Sequence, residues 1–309
     1  MSVHTEEGIG ELRSLLSPEE WKEAEPLSRH TTFRVGGPAR LFLQPASEDR
    51  LVQALRICRR EHIPHAVIGH GSNLLAGDEG FPGVIVCTEG LTELTVENGT
   101  IRAGAGVMLA RIAAAALEQG LTGFEFAAGI PGTLGGAVRM NAGAYGGELK
   151  DVLLSAKVLT AEGELLTRPV AELAMGYRDS VIAHNGDIVL GAALKLTPGD
   201  PAAIRERMED LAVRRREKQP LEYPSAGSTF KRPQGYFAGK LIQDAGLRGF
   251  TVGGAQVSEK HCGFVINRDH ASAADISCLC KRVQEEVKRQ FGVDLELEVR
   301  RLQEETWNW

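Results

Sequence analysis

Seven glycines within the 28 residues from Phe124 to Asp151 constrain this chain more than any other feature. The segment reads FEFAAGIPGTLGGAVRMNAGAYGGELKD. Because glycine has no Cβ atom, main-chain N–H groups in such a segment can approach a ligand closely. The segment therefore suits a diphosphate. It does not open with G-x-G-x-x-G, and no Lys-Ser/Thr follows its glycines, so Rossmann and P-loop folds are disfavoured.

A second glycine-rich loop, GHGSNLL, follows a predicted strand over His65 to Ile68. It resembles the G-x-G-x-x-G pattern, but Leu74 occupies the third glycine position, so the loop alone is a weak signal of nucleotide binding. Tight turns in an α+β fold would also explain glycines in both loops.

Composition excludes several classes of protein. The 309 residues are 43% hydrophobic and 25% charged, which is ordinary for a soluble globular protein. A net charge of −6 argues against a nucleic-acid partner or an anionic membrane. The acidic start and the lack of 18 consecutive apolar residues predict no signal peptide, no membrane insertion and a cytoplasmic protein. Five cysteines without zinc-type spacing predict reduced thiols and no metal site.

Hydrophobic patterns and turn residues predict an α+β fold. Asn98-Gly99 suits a tight hairpin turn, and Asp200-Pro201 begins a charged helix that we take as the domain boundary. We expect one domain over residues 1–199, with subdomains over about 30–95 and 96–199, and a second over 200–309. Strict alternation over Val293 to Arg300 predicts a final strand with Glu296 and Glu298 on one face.

Eight segments, in order, resemble the bacterial UDP-N-acetylenolpyruvoylglucosamine reductases over about residues 30 to 300. They are TTFRVGGPA (31–39), IGHGSNLL (68–75), AGIPGTLGGAVRMNAGAYGGE (128–148), GYRDS (176–180), PSAGSTFKRP (224–233), AGKLIQDAGLRG (238–249), GGAQVSEKHCGFVIN (253–267) and LELEVR (295–300). The resemblance implies a two-part FAD-binding domain of the vanillyl-alcohol-oxidase (PCMH) type, followed by an α+β substrate-binding domain. It also implies NADPH-dependent reduction of an enolpyruvyl UDP-sugar in peptidoglycan precursor synthesis, by the family's shorter subtype.

The resemblance assigns both glycine loops to non-covalent FAD, held by main-chain N–H groups with help from Ser72 and Asn73. His70 could instead attach the flavin covalently, as in some flavoproteins of this fold, but a loop hydrogen-bond donor is the simpler interpretation. The predicted cofactor-binding residues are Gly69, His70, Gly71, Ser72, Asn73, Gly129, Gly132, Thr133, Gly135, Gly136, Asn141 and Gly143.

Three residues match the family's catalytic positions. Arg178 could bind a carboxylate, although an exposed ion pair with Asp179 or Glu172 fits the residues alone. Ser228 falls on the proton donor, but its neighbour Thr229 is equally plausible by chemistry. Glu298 falls on the catalytic acid, and the alternation by itself does not separate it from Glu296. The family's strand usually continues to a glycine, whereas this chain continues as RRLQEETWNW.

A local excess of basic residues around Ser228 suits the diphosphate of a UDP-sugar, although a solvated helix face would also explain the run of arginines. We predict substrate contacts from Tyr177, Lys231, Arg232 and Lys240, and no obligate protein partner. Two other functions remain open on the sequence: another flavin oxidase or dehydrogenase of the same fold, and a non-catalytic nucleotide-sugar sensor.

Overall fold

A computed structural model describes residues 3–302, with side chains from residue 6 onward. The C-terminal aromatic tail, which the sequence leaves unexplained, lies outside these residues. The helices are α1 Val3–Leu15, α2 Glu48–Arg60, α3 Leu109–Glu118, α4 Leu134–Arg139, α5 Pro201–Lys218, α6 Ala238–Asp244 and α7 Ala273–Phe291. The strands are β1 Trp21–Pro26, β2 Pro38–Leu43, β3 His65–Ile68, β4 Leu74–Leu75, β5 Phe81–Cys87, β6 Leu94–Glu97, β7 Thr100–Gly104, β8 Leu121–Thr122, β9 Gly143–Ala144, β10 Gly147–Glu148, β11 Leu153–Leu159, β12 Leu165–Pro169, β13 Ile188–Lys195, β14 Thr197–Pro198, β15 Thr251–Val252, β16 Ala255–Val257, β17 Val265–Asn267 and β18 Arg300–Arg301.

The first sheet is mixed, in the order β1-β2-β5-β3. Strands β2 and β3 both run parallel to β5, and β1 is antiparallel to β2. Helix α2 packs its buried Leu51, Leu55 and Cys58 into the core beside this sheet, as its periodicity predicts. The Ser47 hydroxyl accepts a hydrogen bond from the Arg50 main-chain N–H and so caps the N-terminus of α2. The first glycine loop begins directly where β3 ends.

The second sheet is antiparallel, in the order β12-β11-β13-β7-β6. The β6-β7 turn confirms the hairpin prediction, because Asn98 and Gly99 both have positive φ, 49° and 72°. Helix α4 lies in the middle of the second glycine-rich stretch and buries Leu134, Ala137 and Val138. It packs against β13, so the glycine-rich stretch is fixed to the centre of this sheet.

The C-terminal region forms a small sheet, in the order β15-β16-β17, against α6 and α7. Ser272 and Asp275, three residues apart, form a capping box at the start of α7. The core of this region also takes in Phe33, Val35 and Leu75 from the first 80 residues. The C-terminal region therefore shares its core with these N-terminal residues.

The predicted final strand over Val293 to Arg300 is wrong for most of its length. Only Arg300 and Arg301 form a strand, parallel to β4, and Leu297 makes an isolated bridge to Phe230. A strand needs a continuous partner, whereas this segment meets only short partners, at Leu297 and at Arg300. Glu298 and Val299 are consecutive and both buried, so the alternation does not persist.

The boundary at residues 199 and 200 stays a prediction. Helix α5 packs against α3 and β8, and its Ile204 and Leu211 are buried, so the helix contacts the part of the chain that precedes it. Within residues 3–302, no helix combines the length and apolar character needed to cross a bilayer.

Candidate active site

Four consecutive main-chain N–H groups in the first glycine loop are free to bind an anion. Those of His70, Gly71, Ser72 and Asn73 donate to no acceptor among residues 3–302. Gly71 has φ 61°, and a Cβ atom there would lie 2.0 Å from the His30 carbonyl oxygen. The loop therefore requires glycine at this position, and its unpaired N–H groups can bind phosphate oxygens.

The second glycine loop lies directly against the first. A Cβ atom on Gly69 would lie 2.2 Å from Thr133 Oγ1, and one on Gly132 would lie 3.3 Å from Ser72 Oγ. The two loops line one cavity of about 140 Å³. Thr133 is 2% exposed, and its hydroxyl has no hydrogen-bond partner within the described chain. A buried hydroxyl without a partner is costly, so Thr133 suits a ligand that supplies one.

The other predicted cofactor residues of the second loop fall into three positions. Gly136 is exposed and faces the cavity, and the nearest atom to a Cβ there would be Thr133 Oγ1, 4.0 Å away. Gly135 is buried against Ala105, and a Cβ atom on Gly135 would lie 2.9 Å from the Cβ atom of Ala105. Gly129 lines a larger neighbouring cavity of about 510 Å³, which shares Gly69 and His70 with the first.

Asn141 and Gly143 lie farther along, beside Arg178. Asn141 is completely buried and does not line any of the cavities described above. The Gly143 carbonyl accepts a hydrogen bond from Arg178 Nη2 at 3.0 Å. The end of the glycine-rich stretch therefore supports a side chain predicted to be catalytic, and the cofactor role of these two residues stays a prediction.

His70 pairs with Glu89. The distance from Nδ1 to Glu89 Oε1 is 2.7 Å, and the hydrogen bond that His70 donates to the Glu89 carboxylate raises the pKa of His70. The imidazole lines both cavities with Nε2 unpaired in the described chain. The arrangement makes His70 a hydrogen-bond donor that can carry a positive charge.

The Arg178 guanidinium is bonded to Glu298, 120 residues away, and to neither carboxylate that the sequence offered. Arg178 Nε donates to Glu298 Oε1 at 2.8 Å. Asp179 instead pairs with His184, and Glu172 lies 4.0 Å from Arg168. Glu298 is 8% exposed, and burial raises the pKa of its carboxyl against the opposing charges of Arg178 and Lys231.

The structure separates Glu298 from Glu296. The side chain of Glu296 is 71% exposed and pairs with Lys231. Backbone bonds explain how Glu298 comes to face inward: its N–H donates to the Thr229 carbonyl at 2.9 Å, and Asn73 Nδ2 donates to its carbonyl at 3.0 Å. The segment is thus fixed between the Ser228 loop and the first glycine loop.

Burial and hydrogen bonding also distinguish Ser228 from Thr229 as the candidate proton donor. Thr229 is 1% exposed, and its hydroxyl accepts a hydrogen bond from the Val265 N–H at 2.9 Å. Ser228 is exposed, its hydroxyl has no partner within residues 3–302, and it lines a cavity of about 370 Å³ with Arg178 and Glu298. The three predicted catalytic residues therefore meet on one cavity.

Three of the four predicted substrate residues line the same cavity: Tyr177, Arg232 and Lys240. The Tyr177 hydroxyl accepts a hydrogen bond from the Arg232 N–H at 3.2 Å, and the Arg232 guanidinium lies 4.0 Å from the centre of the Phe237 ring. Lys231 points to Glu296 and does not line this cavity. The cavity is rich in cations, as a diphosphate ligand requires.

Arg215 is a residue for which the sequence suggested no specific role. Its side chain passes Gly129, where a Cβ atom would lie 3.2 Å from Arg215 Cδ, and it lines the 510 Å³ cavity. Burial lowers the pKa of its guanidinium, which has no hydrogen-bond or ion-pair partner in the described residues. Ile204, Leu211 and Arg215 share one face of α5, a spacing that could have distinguished Arg215 from its arginine neighbours.

Comparisons with known proteins agree on one family. Residues 219–302 match the family described as UDP-N-acetylenolpyruvoylglucosamine reductase, C-terminal domain, and residues 39–168 match the FAD binding domain family. The reductase of that name from Agathobacter rectalis is 54% identical over 293 residues, covering 91% of this chain and 93% of that protein. The one from Lachnoclostridium phytofermentans is 50% identical over 297 residues, covering 94% and 96%.

Solved structures give the same result. The crystal structure of UDP-N-acetylenolpyruvylglucosamine reductase from Thermus caldophilus has a TM-score of 0.77 at 36% identity, covering 89% of this chain and 97% of that one. A glucose oxidase variant of Phl p 4 has a TM-score of 0.50 at 18% identity over 63% of this chain and 44% of that one, and shares the fold alone.

Proposed function

This chain belongs to the UDP-N-acetylenolpyruvoylglucosamine reductase family, and from that membership we propose that Arg178, Ser228 and Glu298 are its catalytic residues. The protein reduces the enolpyruvyl ether of a UDP-sugar to UDP-N-acetylmuramate in peptidoglycan synthesis, with FAD as cofactor and NADPH as reductant. The observation that carries the assignment of residues is the buried Arg178–Glu298 pair beside the free hydroxyl of Ser228.

The residues of both glycine loops fit FAD. The unpaired N–H groups of residues 70–73 and the unpaired Thr133 hydroxyl would hold its diphosphate, and the open position at Gly136 leaves room for it. FAD bound between these loops would supply the hydride-transfer chemistry that connects NADPH with the terminal carbon of the enolpyruvyl group. Asn73 joins this cofactor site to the catalytic cavity, because its Nδ2 donates to the Glu298 carbonyl and its own carbonyl accepts from the Arg300 N–H.

Arg178 binds the carboxylate of the enolpyruvyl group. Nε and Nη2 each make one hydrogen bond within the protein, to Glu298 and Gly143. Three of the five guanidinium N–H donors are therefore left to face the cavity, including both on Nη1. Negative charge that develops on the carboxylate during reduction is stabilised by this fixed cation in a partly buried site.

Glu298 acts in its protonated form. Burial favours the neutral carboxyl, and a neutral carboxyl can donate a hydrogen bond to the same developing charge. Arg178 holds the acceptor oxygen of Glu298 and so orients the acid. Activity should therefore decline as pH rises through the pKa of Glu298, because the ionised form repels the substrate carboxylate.

Ser228 supplies the proton to the carbon next to the carboxylate. Its exposed hydroxyl lies in a loop, beside Gly227 with φ 77°, and has no competing partner in the described chain. Protonation of this carbon completes the reduction, and a positioned donor accelerates such a step by about 10²- to 10⁴-fold.

Half-reaction kinetics test this assignment. In Ser228→Ala, NADPH should bleach the flavin at nearly the parent rate, because that step transfers no proton to the substrate. Reoxidation by the enolpyruvyl sugar should slow by about 10²- to 10⁴-fold, or roughly 3 to 5 kcal/mol of barrier. Substrate affinity should change little, since one hydroxyl contributes only about 0.5 to 1.5 kcal/mol.

The control is Thr229→Ala, which removes the acceptor for the buried Val265 N–H. It should lower stability by about 1 to 3 kcal/mol while the folded protein reoxidises at the parent rate. Normal reoxidation in Ser228→Ala, or its loss in Thr229→Ala, would assign the proton donor to another residue. A colourless protein unable to take up FAD would refute the function itself.

The two other functions considered from the sequence gain no support, because relatives at 54% and 50% identity bear the reductase name.

The cytoplasm is our proposed compartment, supported by five cysteines that form no disulfide in the described chain. We also propose that no obligate protein partner is needed. Cell fractionation, and activity of the protein purified alone, test these two proposals.

A further inference from the structure

The turn that carries Arg178 has a conformation that needs external support. Gly176 and Asp179 pair through main-chain bonds of 3.0 and 3.4 Å, which leaves Tyr177 and Arg178 at the tip. Arg178 has φ 54°, in the left-handed region that is unfavourable for a residue with a long side chain. Surrounding contacts must therefore hold the turn in this form.

Three hydrogen bonds fix the turn to the second glycine-rich stretch. Asn141 Nδ2 donates to the Gly176 carbonyl at 2.8 Å. Ser180, which is 1% exposed, donates from Oγ to the Arg139 carbonyl at 2.6 Å. Between them, Arg178 Nη2 donates to the Gly143 carbonyl at 3.0 Å. Both ends of the turn and its catalytic side chain are thus bonded to three residues, Arg139, Asn141 and Gly143, of one short segment.

Asn141 has no donor left for a ligand. Its second Nδ2 bond goes to Glu148 Oε2 at 2.9 Å, and its Oδ1 accepts from the Lys150 N–H at 3.0 Å. Asn141 is completely buried and itself has a positive φ, 44°. Thr133, by contrast, is a buried side chain of the same stretch whose hydroxyl is unpaired in the described chain.

We infer that Asn141 and Ser180 are positioning residues for catalysis: they hold the Gly176–Asp179 turn so that the Arg178 guanidinium meets both Glu298 and the substrate carboxylate. This inference rests on the proposed catalytic role of Arg178. It replaces cofactor binding as the role of Asn141. The glycine-rich stretch then serves two sites, the cofactor through its first half and the substrate carboxylate through its second.

The inference predicts a specific change in pH dependence. Arg178 opposes the burial of Glu298 and so keeps the pKa of that acid lower than burial alone would. If the turn loosens, Arg178 moves away and the pKa of Glu298 rises. Because activity requires protonated Glu298, the decline of activity on the alkaline side should move to higher pH.

The experiment uses Asn141→Ala and Ser180→Ala in the FAD-loaded enzyme. We expect kcat with the enolpyruvyl sugar to fall by about 10- to 100-fold. The alkaline limb of the pH profile, where activity declines, should move to higher pH. NADPH should still bleach the flavin at the parent rate. FAD affinity, from flavin fluorescence, should stay within about 2-fold of the parent. Thr160→Ala is the matched control, because it removes a buried hydroxyl that accepts from the Glu164 N–H in a distant hairpin.

The outcomes separate the alternatives. Weaker FAD binding with an unmoved alkaline limb would overturn the inference and restore Asn141 as a cofactor residue. A pH-independent loss of activity, matched by Thr160→Ala, would reduce both residues to a structural role. If Asn141→Ala does not fold, Ser180→Ala alone decides, since it removes one bond on the other side of the turn. Failure of the parent enzyme to turn over the enolpyruvyl sugar would refute the proposed function instead.

Discussion

The charge on His70 depends on Glu89, and this predicts a pH-dependent affinity for FAD. Glu89 raises the pKa of His70 above its ordinary value of about 6.5, so the imidazolium persists to higher pH than in a free histidine. A raised pKa contributes stability that is present at low pH and is lost as pH rises through the folded-state value. The anionic cofactor should therefore bind about 10-fold more tightly at about pH 6 than at about pH 9.

Fluorescence titration of the apoprotein with FAD measures this effect. The other charged groups facing the two cavities are Arg29, Arg34, Arg139, Arg215, Glu222 and Arg300, with His30 and the Cys87 thiol nearby. His70→Asn keeps a donor without a titrating charge and should flatten the profile. Glu89→Gln should move the midpoint to lower pH. A profile unchanged by both substitutions would place the pH dependence elsewhere.

Two other residue choices show how burial selects among similar side chains. Glu296 and Glu298 are chemically equal, but only Glu298 is buried against Arg178. Ser228 and Thr229 both offer a hydroxyl, but the one on Thr229 is occupied by the Val265 N–H. Glu296 is paired with Lys231 at the surface, and Thr229 is bonded to Val265 in the core. In each pair the other residue is therefore the reactive candidate.

Two substitutions at Gly136, in helix α4, should act differently: one on the stability of the apoprotein and the other on cofactor binding. Gly136 does not have a positive φ and has open space at its Cβ position, so a side chain there does not strain the backbone. Gly136→Ala should stabilise the apoprotein by about 0.5 to 1 kcal/mol, because alanine favours helix. Gly136→Val should lower FAD affinity sharply, since its side chain projects into the cavity between the glycine loops.

Gly135→Ala is the control on the other face of the same helix. Its Cβ would lie 2.9 Å from Ala105 Cβ, so this variant should lose about 1 to 3 kcal/mol of stability by overpacking. Thermal unfolding of the apoproteins and FAD titration distinguish the two positions. Parent-like FAD affinity in Gly136→Val would mean that the cofactor does not pass this helix.

The two parts of the molecule are joined at the start of α7. Asp78, from the first part, accepts hydrogen bonds from the Ala273 and Ala274 N–H groups at 2.7 and 3.0 Å. A carboxylate at a helix N-terminus is favourable because it satisfies free N–H groups and opposes the helix dipole. Asp78→Ala should therefore destabilise the protein by about 1 kcal/mol in urea unfolding.

Asp78→Asn, which keeps one acceptor oxygen, should lose less than Asp78→Ala. The alanine variant should also show weaker coupling between FAD binding and the unfolding of the C-terminal region, measured by hydrogen exchange in α7. Equal stability of the parent and Asp78→Ala would show that the shared apolar core alone joins the two parts.

Local sequence determined the elements whose signals span a few residues. The Ser47 cap, the Asn98-Gly99 turn and the Ser272–Asp275 capping box depend on neighbours within four positions, and all are observed. The order of the eight motifs also identified the family, because motif order is read along the sequence and does not depend on the three-dimensional structure. The prediction of the final strand was wrong because alternation is a property of one segment alone, whereas a strand also requires a partner strand along its length.

Only the tertiary structure decided which side chains act together. Arg178 meets Glu298 across 120 residues, and Asn73 reaches the same segment across 225. Burial, the raised pKa of Glu298 and the use of every Asn141 hydrogen bond all arise from such contacts. Desolvation and hydrogen-bond satisfaction depend on what surrounds a group in three dimensions, and distant segments supply those surroundings only after the chain has folded.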